Sequence, residues 1–485
     1  MQPEAEVALI KGKIVGGVVA LTTRTFALQI ISFVATFILT VLLSPSVFGV
    51  YFLVTAVISF LTYFSDVGLA AALIQKKTEP TRQELVTAFT IQQLLVGMAV
   101  ILLFIFTSRI TTFYKLEAGG AFLLQALALS FFLSSLKTIP SVVLERKLEF
   151  NKLVIPQILE TFAFYVVAIV LAFMGSKEES FAWAALTRGI VGLCAIYIVA
   201  PWRPGLGIYP KITKTLLSFG VPFQMNSILA LVKDDLMTMF LARILPIAHV
   251  GYIGWAKKWA EAPLRLIMDS IVRVTFPAYA RLQENKEALT KALAKSFFFL
   301  GLCIFPVTII MVALIRPAIS IIPRYMKWEP AVFSFYLFAI SSAMAAFSST
   351  SVNILNAVGR IKTTLILMVM WTGLTWITVP ILAFTFGYNG VAIAAFVLSV
   401  TSIIPVIIAR SITRVRVIEA VGKPVVASFC MAVPFVFLSF IPTSMITIIA
   451  ATIVSVTIYI VVVWTWMRFE LAPYLPAFIK RKMVQ

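Results

Sequence analysis

Apolar residues fill this chain in blocks of about twenty, broken by short polar segments. A window of about 19 residues finds roughly fourteen such blocks. They lie near residues 19–43, 46–74, 86–107, 119–139, 153–174, 181–200, 215–243, 248–276, 296–316, 331–353, 363–386, 389–409, 425–440 and 445–466. As helices rising about 1.5 Å per residue, blocks of this length cross a hydrocarbon layer about 30 Å thick. The breaks Ser44-Pro45-Ser46, Gly175-Ser176-Lys177 and Gly387-Tyr388-Asn389-Gly390 have turn character. Pro156, Pro222, Pro263, Pro306, Pro380 and Pro405 fall inside blocks, which membrane helices tolerate.

The eighth block breaks the pattern. Every fourth residue is charged at Lys257, Glu261, Arg265, Asp269 and Arg273, and residues four apart share one helix face. A charge at the bilayer centre costs about 2.5–3.5 kcal/mol, so the stripe has to face a partner helix or a water-filled cavity. Two readings stand. The charges could neutralise one another as Lys257–Glu261, Glu261–Arg265, Arg265–Asp269 and Asp269–Arg273. Alternatively they present a cationic surface, because Lys258 adds a cation and the obvious counter-cluster, Lys233-Asp234-Asp235 in the seventh block, absorbs only one net charge.

Composition reinforces the membrane reading. Of 485 residues, 61% are hydrophobic and 12% charged, against about 25% charged in soluble domains. The formal net charge of +20 has no sizeable soluble segment to display it, so nucleic acid is not an expected partner and membrane topology accounts for it better. With the N-terminus inside, about 25 Lys and Arg residues fall in cytoplasmic segments and about 7 outside. Both termini are therefore expected in the cytoplasm, in a multi-pass protein of the cytoplasmic (inner or plasma) membrane. The opening MQPEAEVALIKGK is too acidic and polar for a cleavable leader. Cys194, Cys303 and Cys430 lie in apolar runs and are expected as free thiols. With His249 the only histidine, no metal site or cofactor is expected. Trp328, Trp464 and Trp466 suit interfacial belts, and Phe297-Phe298-Phe299 suits packing or lipid contact.

The chain also repeats itself. Ser44-Pro45-Ser46-Val47-Phe48-Gly49-Val50-Tyr51 joins blocks one and two, and Leu245-Pro246-Ile247-Ala248-His249-Val250-Gly251-Tyr252 joins blocks seven and eight. The segment Ser141–Arg146 after block four corresponds to Ser351–Asn356 after block ten. Six spans per unit is an even number, so the two units enter from the same side as parallel repeats.

Five segments resemble the polysaccharide-export (Wzx-type) flippases of the multidrug/oligosaccharidyl-lipid/polysaccharide (MOP) superfamily. Val250-Gly251-Tyr252, followed by Ala256-Lys257-Lys258-Trp259-Ala260-Glu261-Ala262-Pro263, is similar to that family's G-Y-x-x-x-A-x-R/K-x-x-x-x-P pattern. Phe276-Pro277-Ala278-Tyr279-Ala280-Arg281-Leu282-Gln283 is similar to its F-P-x-x-x-R-L-Q exit. Leu144–Phe150, Asn353–Arg360 and Gly387–Ala394 are similar to its loops after spans four and ten and its turn into span twelve. The resemblance implies an all-α polytopic membrane protein of about fourteen transmembrane helices. It implies two pseudo-symmetric six-helix bundles around a central cavity, in residues 1–205 and 206–415, with two extra helices and a short tail in 416–485. It further implies a flippase, not an enzyme, that moves a polyprenyl-(pyro)phosphate-linked oligosaccharide to the outer leaflet by alternating access, for surface polysaccharide biosynthesis. Lys258 falls on the family's basic position.

Such a substrate needs cations for its phosphate and a polar path for its sugar. Lys supplies a mobile point charge and Arg a planar fork. The candidates are Arg24, Arg188, Lys233, Lys257, Lys258 and Arg265. Asp66, Glu160, Asp234, Asp235, Glu261 and Asp269 are candidates for charge pairing or for a coupling ion, H+ or Na+. Membrane potential alone could also drive an anionic head outward, at about 2.3 kcal/mol per charge per 100 mV. A monomer among membrane lipids is expected. Two other readings are a multidrug or organic-cation exporter, which the basic excess disfavours, and a lipid-linked-sugar polymerase or ligase, which lacks an outer loop bearing paired carboxylates or His.

Overall fold

The computed structural model describes residues 25–225, 228–438 and 444–472, and helix is the only extended regular structure among them. The chain divides into two compact units, Met1–Gly251 and Tyr252–Gln485. Twelve helices among the described residues are long and apolar enough to cross a membrane. They correspond to all the expected blocks but the seventh and eighth. The seventh is described over α9 (Pro210–Met225) and α10 (Ile228–Ile244), on either side of the undescribed residues 226–227. The eighth is the 36-residue α11 (Ile247–Leu282), whose charges remove it from any list based on apolarity.

In the first unit, α1 (Thr25–Leu42) is followed by α2 (Pro45–Asp66), α3 (Leu69–Gln75), α4 (Arg82–Tyr114), α5 (Ala118–Ser135), α6 (Thr138–Arg146), α7 (Phe150–Phe173) and α8 (Glu178–Val199). α5 packs on α4 and α8, α8 on α7, and α2 on α5 and α10. The second apolar block does not run straight through. It stops at Asp66, because Val67 (φ 43°) and Gly68 (φ 69°) are left-handed and end α2. Gly68 is required twice over: its φ favours glycine, and a Cβ there would sit 2.4 Å from the Gly220 carbonyl oxygen of α9.

The short α3 is closed by an arginine. Arg146 Nη1 donates to the carbonyls of Leu73 (2.7 Å), Ile74 (2.9 Å) and Lys76 (2.8 Å), and its Nη2 to Thr78 (2.8 Å). The last carbonyls of a helix have no internal donor, and here one guanidinium supplies them. Next to it, Thr81 and Glu84 form a reciprocal capping box at the start of α4, and Lys76 pairs with Glu84 at 2.6 Å. Leu69, Leu73, Phe89, Ile139, Val142 and Leu216 form the apolar core beneath.

The repeated turn motif has a packing role in this unit. A Cβ on Gly49 would lie 1.9 Å from the Ile247 carbonyl oxygen, and one on Gly251 would lie 1.9 Å from that of Pro45. The equivalent glycines of the two motifs thus meet backbone to backbone, the close approach that small residues permit between membrane helices.

The second unit contains α12 (Lys286–Ile321), a 3-10 turn (Met326–Ala331), α13 (Val332–Ala357), α14 (Ile361–Phe386), α15 (Tyr388–Val400), α16 (Ile403–Thr413), α17 (Val417–Leu438) and α18 (Met445–Leu471). α13 is central, packing on α12, α15 and α16, while α17 and α18 pack together and against α12. Tyr459 of α18 donates to the Leu302 carbonyl of α12 at 2.6 Å. Trp328, expected in an interfacial belt, is instead fully buried at 0% exposure. It stacks on Trp255 with ring centroids 5.2 Å apart and planes 11° apart, because the turn after α12 folds its apolar residues inward. Trp464 and Trp466 are partly exposed on α18.

Gly49→Val and Gly251→Val should each lower thermal stability in detergent by at least about 1–3 kcal/mol, the usual cost of overpacking. Gly97→Ala on α4, where a Cβ meets nothing within 4 Å, should leave the midpoint unchanged or raise it.

Candidate functional site

The charged stripe lies on a helix anchored by its opposite side. Ala256, Ala260 and Leu264 are buried, four residues apart on one face. Leu264 packs with Leu300, Ile304, Ala343 and Ala346, and Ile267, Met268 and Ile271 lean on the same cluster. Advancing one residue turns about 100° around the helix, which places Lys257, Glu261, Arg265, Asp269 and Arg273 off that face. Arg265, Asp269 and Arg273 are exposed on the second unit, while Lys257, Lys258 and Glu261 are half-buried.

Of the expected pairs, Glu261–Arg265 is formed, with Nη2 2.8 Å from Oε2. The Arg265 side chain is nevertheless 68% exposed, so the pair is worth well under about 1 kcal/mol where water reaches it. Among the described residues, Asp269 makes no ion pair with Arg265 or Arg273. The stripe is therefore only partly self-neutralised, and it remains an available polar surface on a helix with a membrane-spanning length.

A second charged group lies inside the first unit. Glu160 of α7 is buried, at 8% exposure. Lys137, at the junction of α5 and α6, donates to its Oε2, and Arg188 Nη2 of α8 lies 3.7 Å from its Oε1. Gly192 makes room, since a Cβ there would lie 2.1 Å from Glu160 Oε2. Lys137 and Glu160 line a cavity of about 330 Å³ with Ser134, Thr138, Ser141 and Gln157. The network extends to α4 through Gln92 Nε2 donating to Thr138 Oγ1 at 3.0 Å and Ser135 Oγ donating to Gln93 Oε1 at 3.1 Å.

Lys137 was not expected as a site residue. At the end of an apolar block, a lysine reads as one that reaches for the interface. Its one distinguishing signal is that it is the sole charge in block four. Arg188, read as a phosphate ligand, is placed beside Glu160. Lys233 and Asp235 are half-buried on α10 in the first unit, and Asp234 is exposed there. Asp66 is the last residue of α2, and Arg24 lies outside the described residues. Among the described residues no group of three His, Cys, Asp or Glu side chains could hold a metal ion.

Glu160→Ala should destabilise the protein by about 3–5 kcal/mol, since it leaves the Lys137 ammonium buried without a counter-charge. Joint Lys137→Met and Glu160→Leu should cost markedly less, and Arg188→Ala, with a half-exposed side chain, less than about 1 kcal/mol. Thermal unfolding of the three variants in one detergent checks the order.

Comparison with known proteins places these features. The family Polysacc_synt_3, described as polysaccharide biosynthesis protein, matches residues 38–332. The succinoglycan biosynthesis transport protein ExoT of Rhizobium meliloti (strain 1021) is 24% identical over 347 residues, covering 71% of this chain and 69% of that protein. Among solved structures, the lipid II flippase MurJ in an inward closed conformation superposes with a TM-score of 0.73 at 16% identity, covering 93% of this chain and 99% of that one. An inward-facing multidrug resistance MATE family transporter of the MOP superfamily superposes at 0.61 with 14% identity, over 82% of this chain and 99% of that one. At such identities the two superpositions are likenesses of fold.

Proposed function

Since this chain belongs to the polysaccharide biosynthesis protein family, we propose that it is a flippase for a polyprenyl-(pyro)phosphate-linked oligosaccharide. It takes the lipid-linked sugar from the cytoplasmic to the outer leaflet of the cytoplasmic membrane, with both termini inside, by alternating access. The repeat organisation of 1–205 and 206–415, followed by 416–485, belongs to the same proposal.

The observation that carries it is the charged stripe of α11, on which Arg265, Asp269 and Arg273 are exposed. The polar head cannot dissolve in hydrocarbon, and its phosphate needs cations that do not face lipid. Lys257, Lys258 and Arg265 bind the phosphate in this reading, with Arg24 and Lys233 along the path. Arg188 is the weakest of the set, because Glu160 already stands beside it. Glu261 and Asp269 keep the stripe from holding the anion too tightly, which release on the far side requires. Glu160, Asp66, Asp234 and Asp235 are the carboxylates at which H+ or Na+ would couple transport. A relative named as a transport protein supports movement of a glycan precursor over its chemical extension.

Lys258→Ala and Arg265→Ala should each slow export of surface polysaccharide by about ten-fold or more, the loss of one charge-assisted phosphate contact at about 1.5–3 kcal/mol. Protein level and gel-filtration profile should stay as in the parent. Normal export in both variants would overturn the assigned site. Uptake of a cationic dye by vesicles holding the purified protein would favour a drug exporter, and lengthening of a lipid-linked glycan by it would favour a polymerase.

A further inference from the structure

The end of the second unit where α12 begins holds a cationic pocket that the flippase reading does not use. α12 is 36 residues long, about 54 Å as a helix, well beyond a 30 Å hydrocarbon layer. Its first turns, Lys286–Lys295, are charged and suit the headgroup region, whereas Phe298 and Phe299 just beyond suit the acyl boundary and Phe297 is buried in the core. At this level a cavity of about 670 Å³ is lined by Lys291, Lys295, Arg414, Arg416 and Lys423. Its carboxylates are Glu419 and Glu470, and Glu287 just outside the lining pairs with Lys291 at 2.6 Å, so two net positive charges remain. Phe298, Phe299 and Phe469 complete the wall.

The cations are placed by the fold. Arg414 and Arg416 flank Val415, which is fully buried beside Tyr279 and Leu289. Pinning the middle residue of Arg414-Val415-Arg416 turns both arginines outward. Arg414 also ends α16 in the left-handed region at φ 57°, a conformation that a non-glycine residue adopts at a cost. Lys291 and Lys295 are four residues apart on one face of α12. The carboxylates do not close the pocket. Arg416–Glu419 (2.9 Å) is an exposed pair, and the Lys423–Glu470 pair is itself more than a third exposed. Such pairs are weak and exchange readily for a phosphate. Lys423 also lies 6.0 Å from the Trp466 ring centroid, an arrangement suited to the membrane interface.

We propose that this pocket binds the headgroup of an anionic glycerophospholipid from the leaflet at this end, which is the cytoplasmic leaflet in the orientation proposed above. The cationic rim takes the phosphodiester, and the phenylalanine wall takes the start of the acyl chains. A soluble phosphate would satisfy the rim but leave the aromatic wall without a role. This inference does not depend on the transported substrate.

The test uses the full chain in nanodiscs, with native mass spectrometry reading the lipids retained as phosphatidylglycerol is titrated into phosphatidylcholine. Preferential retention of phosphatidylglycerol is expected. Joint Lys295→Ala and Arg414→Ala should weaken it on the order of twenty-fold, at about five-fold per interfacial cation. Joint Lys295→Arg and Arg414→Lys should stay within about two-fold of the parent, as should Lys362→Ala, a cation outside the pocket. Equal retention of the two lipids by the parent would overturn the proposal. So would an unchanged preference in the alanine variant, an equal loss in the charge-retaining variant, or displacement of the lipid by millimolar inorganic phosphate. Polysaccharide export is read separately, so failure of the lipid site and failure of the flippase reading are distinguishable.

Discussion

The hydrocarbon layer offers no water to an unpaired polar group, and the described structure is organised around that constraint. Backbone groups satisfy it by being helical, and irregular backbone is tolerated only where protein partners replace the lost bonds. The break between α3 and α4 shows how. One Arg146 guanidinium accepts the task of four carbonyls, so the chain can stop one helix and start another without stranding acceptors. Glu160 meets the same constraint with charge, held by Lys137 and approached by Arg188.

A second consequence is reliance on small residues. Lipid tails are as apolar as leucine, so burying leucine gives helices little reason to associate, and close approach has to supply dispersion contact instead. Gly49 with Gly251, and Gly68 with Gly220, bring backbone against backbone. Gly192 makes room for a carboxylate in the same way. On α13, buried Ala339, Ala343, Ala346, Ser348 and Ser351 give the central helix of the second unit a slim profile. Rigid crossings of this kind let a unit move as a body, the type of motion that alternating access requires.

Charge that packing does not bury is what remains for function. The first unit pairs the buried Glu160 with Lys137, whereas α11 turns a run of alternating charges away from its apolar anchor. The stripe and the cationic pocket at the start of α12 use the same chemistry for different ends. In the proposed readings the first offers cations along a path across the layer and the second at its margin. Both suit phosphate attached to lipid, because both set cations beside apolar surface.

The helical, polytopic character of the chain and the position of its charged stripe were legible in the sequence, because hydrophobic block length and four-residue spacing are local properties of a helix. The repeated Gly49 and Gly251 motifs were legible too, but not their contact, since two similar segments need not meet. Tertiary structure alone decided that Lys137 serves Glu160, that Trp328 is core instead of interface, and that Val415 orients two arginines. Each depends on which distant residue supplies the partner or fills the space. It also broke the second block at Val67-Gly68, where hydropathy is continuous but left-handed backbone ends α2 beside Gly220. Composition along one strand of sequence records what must be hidden from water, and only packing across the fold specifies what hides it.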